Sequence, residues 1–248
     1  MKHLIKKFIL FVIKILIYPF TKKVQPYMYI KSTYFSDIND HFYQSVAYLK
    51  NNYIIPEVVF DIGASRGAFS ILIAKSFPKC NVYAFEPIPS IYEELKQKSS
   101  AYPNIKHSLL AIANSEAHVE FYVTNNYDSS SLLNPNNISY EGIKTEKKIQ
   151  TRQSTIDNQS LRLGIEKICL LKMDIQGAEL LALQGANNML SKTRFVLTEM
   201  SIQKQYEASC SYDELDGFLR EKKFRLIGLF ARTVGINEYD ALYENTQL

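Results

Sequence analysis

The stretch Val58-Val59-Phe60-Asp61-Ile62-Gly63-Ala64-Ser65-Arg66-Gly67-Ala68-Phe69 decides the fold. A β-branched, apolar run reads as a buried strand. It breaks at Gly63 into a short turn, and an amphipathic pattern then opens a helix. Glycine lets the backbone pass close to a ligand, and the first turn of a helix offers free N–H groups to an anion. The spacing is G-x-x-x-G. It is neither the G-x-G-x-x-G of dinucleotide folds nor a P-loop. The informative addition is Asp61 at the strand end, an acceptor for an amino group. A tight turn capped by an aspartate is the lesser alternative if the stretch stood alone.

Outward from it, strands and helices alternate. Glu57–Ile62 reads as a strand, Ala68–Ser76 as a helix, Asn81–Phe85 as a strand, Ile88–Ser99 as a helix and Ile105–Ala113 as the third strand. The rhythm then breaks. His118–Thr124 alternates like a half-buried antiparallel strand, Asn125–Gly142 is a long polar loop, and Lys147–Arg152 returns as a strand. A loop of that length inside a compact domain is usually a lid or binding loop. The alternation resumes with strand Lys167–Met173, helix Ala178–Leu190, strand Phe195–Met200 and helix Tyr212–Glu221. Phe224–Leu229 and Ala241–Glu244 close as an antiparallel pair. This order predicts an α/β fold: a mostly parallel, Rossmann-like sheet of seven strands, helices on both faces, and an inserted β-hairpin with its loop. Residues 36–52 read as a helix leading into the core.

Charged residues at strand ends carry the chemistry, because open α/β sheets bind ligands beyond the carboxyl ends of their strands. Glu86, followed by Pro87, ends the second strand, where a carboxylate can accept from two ribose hydroxyls. In Leu170-Leu171-Lys172-Met173-Asp174-Ile175-Gln176-Gly177-Ala178-Glu179, alternation puts Lys172 and Asp174 on one face. Glu179 falls in the first turn of the next helix, where it would also favour the helix dipole. Glu199 ends a further strand. A buried or edge-paired glutamate is the alternative there.

Composition limits the classes. The 248 residues are 46% apolar and 22% charged, a globular balance able to bury one core. Cys80, Cys169 and Cys210 are odd in number and widely spaced. They make neither a disulfide framework nor a zinc site, and suit a reducing, cytoplasmic setting. The net charge of +4 is local. Residues 1–23 hold six lysines and no acid, leaving 23 of the 29 basic residues against 25 acidic ones. Such a body is poorly suited to a phosphate backbone, so no nucleic-acid partner is expected.

The N-terminal run pairs Lys2, His3, Lys6, Lys7 and Lys14 on one helical arc with Leu4, Ile5, Phe8, Ile9, Phe11, Val12, Ile15 and Leu16 opposite. Residues 1–20 are therefore expected to lie on a membrane surface, lysines toward anionic headgroups, with the protein peripheral on the inner face. Packing on the domain or on another subunit is the alternative. A signal or a span fits less well, because Lys14 sits mid-run, Pro19 ends it, and about 22 Å of helix falls short of a hydrocarbon core of about 30 Å. The expected organisation is a basic apolar membrane-surface or anchor helix at 1–23, a helical lead-in at 24–56, and one catalytic domain at 57–248. The sequence leaves the oligomeric state open.

Taken in order, FDIGASRGAFS, YAFEPIPSIYEEL, SSSLL (129–133), TID (155–157), LLKMDIQGAELLALQGA, VLTEMS, SYDELDGFL and DALYEN resemble the FkbM-type family of S-adenosylmethionine-dependent methyltransferases. They span roughly residues 57–245. Many members carry Glu where this chain has Gln176, so position 176 is left out of the catalytic set. The resemblance implies a class I methyltransferase sheet and transfer to a hydroxyl of a sugar, a glycan, lipid-linked or not, or another small molecule. Asp61, Gly63, Ala64 and Gly67 would then flank the methionine end of S-adenosyl-L-methionine, Glu86 and Pro87 the ribose, and Ala111 and Ile112 the adenine. Ser129, Ser130 and Ser131 and the TID segment would border the acceptor. An alcohol needs a base in the transition state, and Asp174, Glu179, Glu199 and Lys172 are the candidates, Lys172 only if burial lowers its pKa; it could equally fix Asp174 as an ion pair. Three carboxylates at one rim would also admit a divalent metal, but their spacing is not diagnostic and no metal is assigned. A nicotinamide-dependent oxidoreductase, disfavoured by the missing G-x-G-x-x-G, and a non-enzymatic membrane-associated module of the same fold are the competing readings.

Overall fold

The structure is a computed structural model and describes residues 40–136, 142–201, 204–231 and 238–248. The N-terminal run lies outside these residues, so the membrane-surface expectation falls outside them too. Among the described residues no helix is long and apolar enough to cross a membrane.

The elements follow in order: α1 (Asp40–Asn51), β1 (Val58–Ile62), α2 (Ala68–Ser76), β2 (Asn81–Phe85), α3 (Pro89–Ser99), β3 (Ile105–Ser108), β4 (Ala111–Ile112), β5 (Ala117–Thr124), β6 (Thr145–Ser154), α4 (Ile156–Leu163), β7 (Ile168–Met173), α5 (Glu179–Gln184), β8 (Thr193–Ser201), α6 (Tyr212–Glu221), β9 (Phe224–Ala231) and β10 (Glu238–Asn245). Seven strands form the main sheet in the order β3-β2-β1-β7-β8-β10-β9. Its pairings are parallel from β3 to β8, and β10 is antiparallel to both β8 and β9. The parallel core is the one that the alternation predicts, and the whole is the class I methyltransferase arrangement that the family resemblance implies.

Period-two side chains divide the core between the two sheet faces. Phe60, Ile62, Phe85, Leu171 and Met173 pack on one face, against Ile156 of α4, Leu183 of α5 and Leu215 and Leu219 of α6. Val59, Val82, Ala84, Leu170 and Leu197 pack on the other, against Phe42, Val46 and Leu49 of α1 and Phe69 and Ile73 of α2. Both faces are covered, which is why the central strands read as continuous apolar runs.

Two expected elements end differently. Ile105–Ala113 is not one strand. It breaks after Ser108, and Ala111–Ile112 leaves the main sheet to pair with Gln153 and Ser154. A small second sheet of order β4-β6-β5 results, and the inserted β5–β6 hairpin is thereby tied to the domain. The helix expected over Ala178–Leu190 stops at Gln184. A Cβ on Gly185 would stand 2.2 Å from the Ala113 carbonyl oxygen, so the chain there touches the backbone of the β4 segment and turns. All three cysteines are free. Burial pushes the Cys80 thiol up to about 12, the Cys210 thiol up to about 11, and raises Cys169 as well, which leaves unreactive thiols.

Candidate active site

The carboxyl ends of β1, β2 and β7 meet at one rim. Gly63 and Ala64 donate their N–H groups to the Phe85 carbonyl at 3.1 and 3.0 Å, and Asp174 donates its own to Ile62 at 3.0 Å. Gly63 has φ 72°, and a Cβ on it would stand 2.0 Å from the Asp174 carbonyl oxygen. Glycine is therefore required for the β1 and β7 turns to cross so closely. Above this crossing lies a cavity of about 640 Å³, within the ordinary range for small-ligand sites.

In one half, Glu86 is 5% exposed. Its Oε2 accepts from the Ser65 N–H at 3.0 Å and its Oε1 from the Ile88 N–H at 2.9 Å. Burial pushes its carboxyl up to about 7, against the opposing pull of the Ile88 and Ser65 N–H groups and the Lys172 charge. Ile88, Ala111 and Ile112 form an apolar shelf beside it, and Pro87, Gly63 and Ala64 also line the wall. A carboxylate at a strand end next to an apolar shelf is the donor set a nucleoside needs: an acceptor for ribose hydroxyls and a dry face for a base. These residues fit S-adenosylmethionine.

The insertion reaches across this half. Asp128 accepts from the Ser65 hydroxyl at 2.7 Å and from Arg66 at 3.3 Å, while the Arg66 Nε bonds Glu94 at 2.9 Å. Arg66 also lies over the Tyr127 ring, 5.9 Å from its centroid. The β1–α2 turn and the 125–136 loop thus share a polar latch. Ser129 and Ser130 line the cavity, as expected. Ser131 does not. Its hydroxyl turns away and donates to the Gln176 and Ile175 carbonyls at 2.8 and 3.2 Å.

Asp61 differs from its expectation. Its side chain points to the face under α2 and does not border the cavity. Register puts it beside Lys172. Oδ1 is 2.9 Å from the Lys172 Nζ, and Oδ2 accepts from the Ser70 hydroxyl at 2.6 Å. The pair is almost fully buried, and Lys172 also donates to the Gly63 carbonyl at 2.9 Å. Burial alone would lower the lysine's pKa. Asp61, Asp174 and Asp240 outweigh it, and the pKa is raised. Lys172 is thus an ammonium that ties the strand end to the turn, not a base. Gly67 lies outside the cavity wall too; with φ 83° it starts α2.

Asp174 lines the cavity, as does Gln176. The other carboxylates stand behind. The Glu179 Oε1 accepts from the Ile175 N–H at 3.1 Å, closing the turn before α5. Glu199 accepts from the Gln176 Nε2 at 2.8 Å. Both border a separate, water-sized cavity of about 30 Å³ instead. The TID segment is structural: Thr155 caps α4 through the Asn158 N–H, and Asp157 accepts from the Asn188 and Met189 N–H groups. Among the described residues no group of three or more His, Cys, Asp or Glu is placed to hold a metal ion.

Sequence reasoning passed over Gln176, Tyr206, Asp128 and His41. His41 is buried in the cavity wall with its Nε2 3.5 Å from Asp240. Its helix precedes every matched motif, so nothing in the spacing flagged it. Gln176 stood inside a motif and was set aside for its side chain alone.

The model of the family described as "Methyltransferase FkbM domain" matches residues 61–226. The chain is 28% identical over 200 residues to the 2-O-methyltransferase NoeI of Sinorhizobium fredii, covering 77% of this chain and 80% of that protein. It is 26% identical over 145 residues to the hexuronic acid methyltransferase AglP of Haloferax volcanii, covering 58% and 56%. Among solved structures, Aeropyrum pernix fibrillarin in complex with S-adenosyl-L-methionine aligns at 12% identity and TM-score 0.48 over 82% of this chain and 74% of that one. With the family model spanning well over half of its length, this chain belongs to the FkbM methyltransferase domain family and is an S-adenosylmethionine-dependent methyltransferase.

Proposed function

We propose that the protein methylates a hydroxyl group of a sugar or glycan, with Asp174 as the base. The observation that carries this reading is the position of Asp174: a carboxylate in the cavity wall, one turn from the Glu86 half, held by Gln176 at 2.9 Å. When bound, the cofactor supplies an already activated methyl group on a sulfonium. What remains for the protein is to orient an alcohol and take its proton. Asp174 accepts that proton on its carboxylate. Ser129, Ser130 and Gln205 give the same wall hydroxyl and amide groups suited to a polyol. The relatives named for 2-O-methylation and for hexuronic acid methylation support an oxygen acceptor on a sugar. Transfer of labelled methyl to neutral sugars, uronic acids and lipid-linked glycans tests it. Labelling confined to amine acceptors, or none with any hydroxyl compound, would overturn it.

Glu86 would hold the ribose. Since its carboxyl is held near pH 7 in the free protein, cofactor affinity should weaken as pH falls from about 8 to about 6, because only the ionised form accepts from both hydroxyls. Glu86→Gln should bind about 1–2 kcal/mol more weakly and lose this pH dependence. Calorimetry across the range reads both, and a pH slope that survives in the variant would remove Glu86 from the ribose. For stability the sign is opposite. A raised carboxyl pKa favours the folded state at low pH, and that contribution is lost as pH rises from the ordinary 4.5 toward 7.

A further inference from the structure

The turn Asp174-Ile175-Gln176-Gly177 holds a side chain with an unusual set of partners. The Gln176 Nε2 donates one hydrogen to the Asp174 Oδ1 at 2.9 Å and the other to the Glu199 Oε2 at 2.8 Å. Its Oε1 accepts from the Tyr206 hydroxyl at 2.9 Å. The amide orientation follows from the chemistry. The amide nitrogen offers two hydrogens to two carboxylate oxygens, whereas a reversed amide would aim its carbonyl at both. Like charges within about 6 Å disfavour each other's ionisation, and an adjacent carboxylate pair without a donor between them titrates as a unit sharing a proton.

We propose that Gln176 is a positioning residue that keeps Asp174 ionised and aimed into the cavity by separating it from Glu199 with a neutral double donor. The inference rests on the reading of Asp174 as the base and adds what sets its protonation.

The backbone supports this role. Gln176 has φ 57°, a conformation that non-glycine residues adopt at a cost. The turn is gripped from two distant segments. The insertion contributes the Ser131 hydroxyl, which donates to the Gln176 carbonyl at 2.8 Å. The segment after β8 contributes Tyr206, whose single hydroxyl hydrogen is shared between the Gln176 Oε1 at 2.9 Å and the Ser129 carbonyl at 2.7 Å. A long solvent-facing glutamine would not need this scaffolding. Among the described residues, the titratable groups around the pair include Lys172 on β7 with Asp61 on β1, Glu179 on α5, Asp240 on β10 in register with Glu199, and His41 on α1 beside Asp240. Their net effect is common to wild type and variants, so a difference measurement isolates the Gln176 bridge.

The test is a carboxyl ¹³C NMR titration of the full chain, with the Asp174 resonance assigned by its loss in Asp174→Asn. It needs no acceptor. Gln176→Glu should raise the Asp174 midpoint by about one pH unit or more, since it replaces a donor by a like charge. Glu199→Gln should lower the midpoint by removing the neighbouring charge. With an acceptor in hand, the acid limb of kcat/KM should move with each midpoint. Midpoints that stay in place in both variants overturn the inference. Should Gln176→Glu fail to fold, an unmoved midpoint in Glu199→Gln overturns it by itself. Shifted midpoints beside a wild type that methylates no hydroxyl would sink the sugar O-methylation reading while upholding the role of Gln176.

Discussion

Asp174→Asn is expected to lower kcat by about 10²–10⁴-fold, the range that general-base catalysis supplies, while changing cofactor affinity by less than about 0.5 kcal/mol. The variant is nearly isosteric. It can still accept from the Gln176 amide through its carbonyl, so the turn and the strand crossing at Gly63 should survive. What it lacks is an oxygen able to take a proton from an alcohol. The split between turnover and binding is the discriminating result. Calorimetry with S-adenosylmethionine reads one side, and single-turnover methyl transfer with a working acceptor reads the other. Glu179→Gln should have a far smaller effect on turnover, because that carboxylate faces the Ile175 N–H and the rear cavity. Equal turnover in wild type and Asp174→Asn would remove Asp174 from the chemistry.

Lys172→Met should be the most destabilising of the site substitutions. It leaves the Asp61 carboxylate, 0% exposed, with the Ser70 hydroxyl as its side-chain donor among the described residues. Removing one partner of a buried pair costs about 3–5 kcal/mol, which for a domain of this size lowers the melting temperature by roughly 10 °C. The double variant Asp61→Asn, Lys172→Met should recover much of that loss, because the stranded charge goes too. Phe42 and Phe69 rings lie 5.6 and 5.8 Å from the Lys172 Nζ, so a methionine finds apolar and aromatic neighbours. The pH dependence follows from the raised lysine pKa: the pair's contribution is complete below the ordinary 10.5 and lost only as pH rises through the raised value. Scanning calorimetry of both variants checks this. An unchanged melting temperature in Lys172→Met would show that the pair contributes nothing net.

The strand ends were legible because each carries a charge that breaks an apolar run, and Glu86 and Asp174 line the cavity. Their division of labour was not. Asp61 and Lys172 looked like cofactor and catalytic groups, yet pair with each other across 111 positions of sequence. Glu179 and Glu199 looked equivalent to Asp174, yet the first closes a turn and the second stands behind Gln176. No local pattern distinguishes these fates, since each depends on which face a neighbouring strand presents.

By itself the sequence determined the alternation of elements, the seven-stranded sheet with its inserted hairpin, and the rim at which the candidate site lies. Those follow from periodicity, turn residues and the rule that ligands sit beyond parallel strand ends, all local or topological matters. The stretch at 58–69 announced the turn correctly. Only the tertiary structure decided that Asp61 is buried ballast for Lys172, that Gly63 is needed for the Asp174 backbone, and that Gln176 bridges two carboxylates. Those depend on strand register and on contacts from the insertion and the segment after β8. Register is set by the packing of whole faces, which the residues of a single motif do not encode.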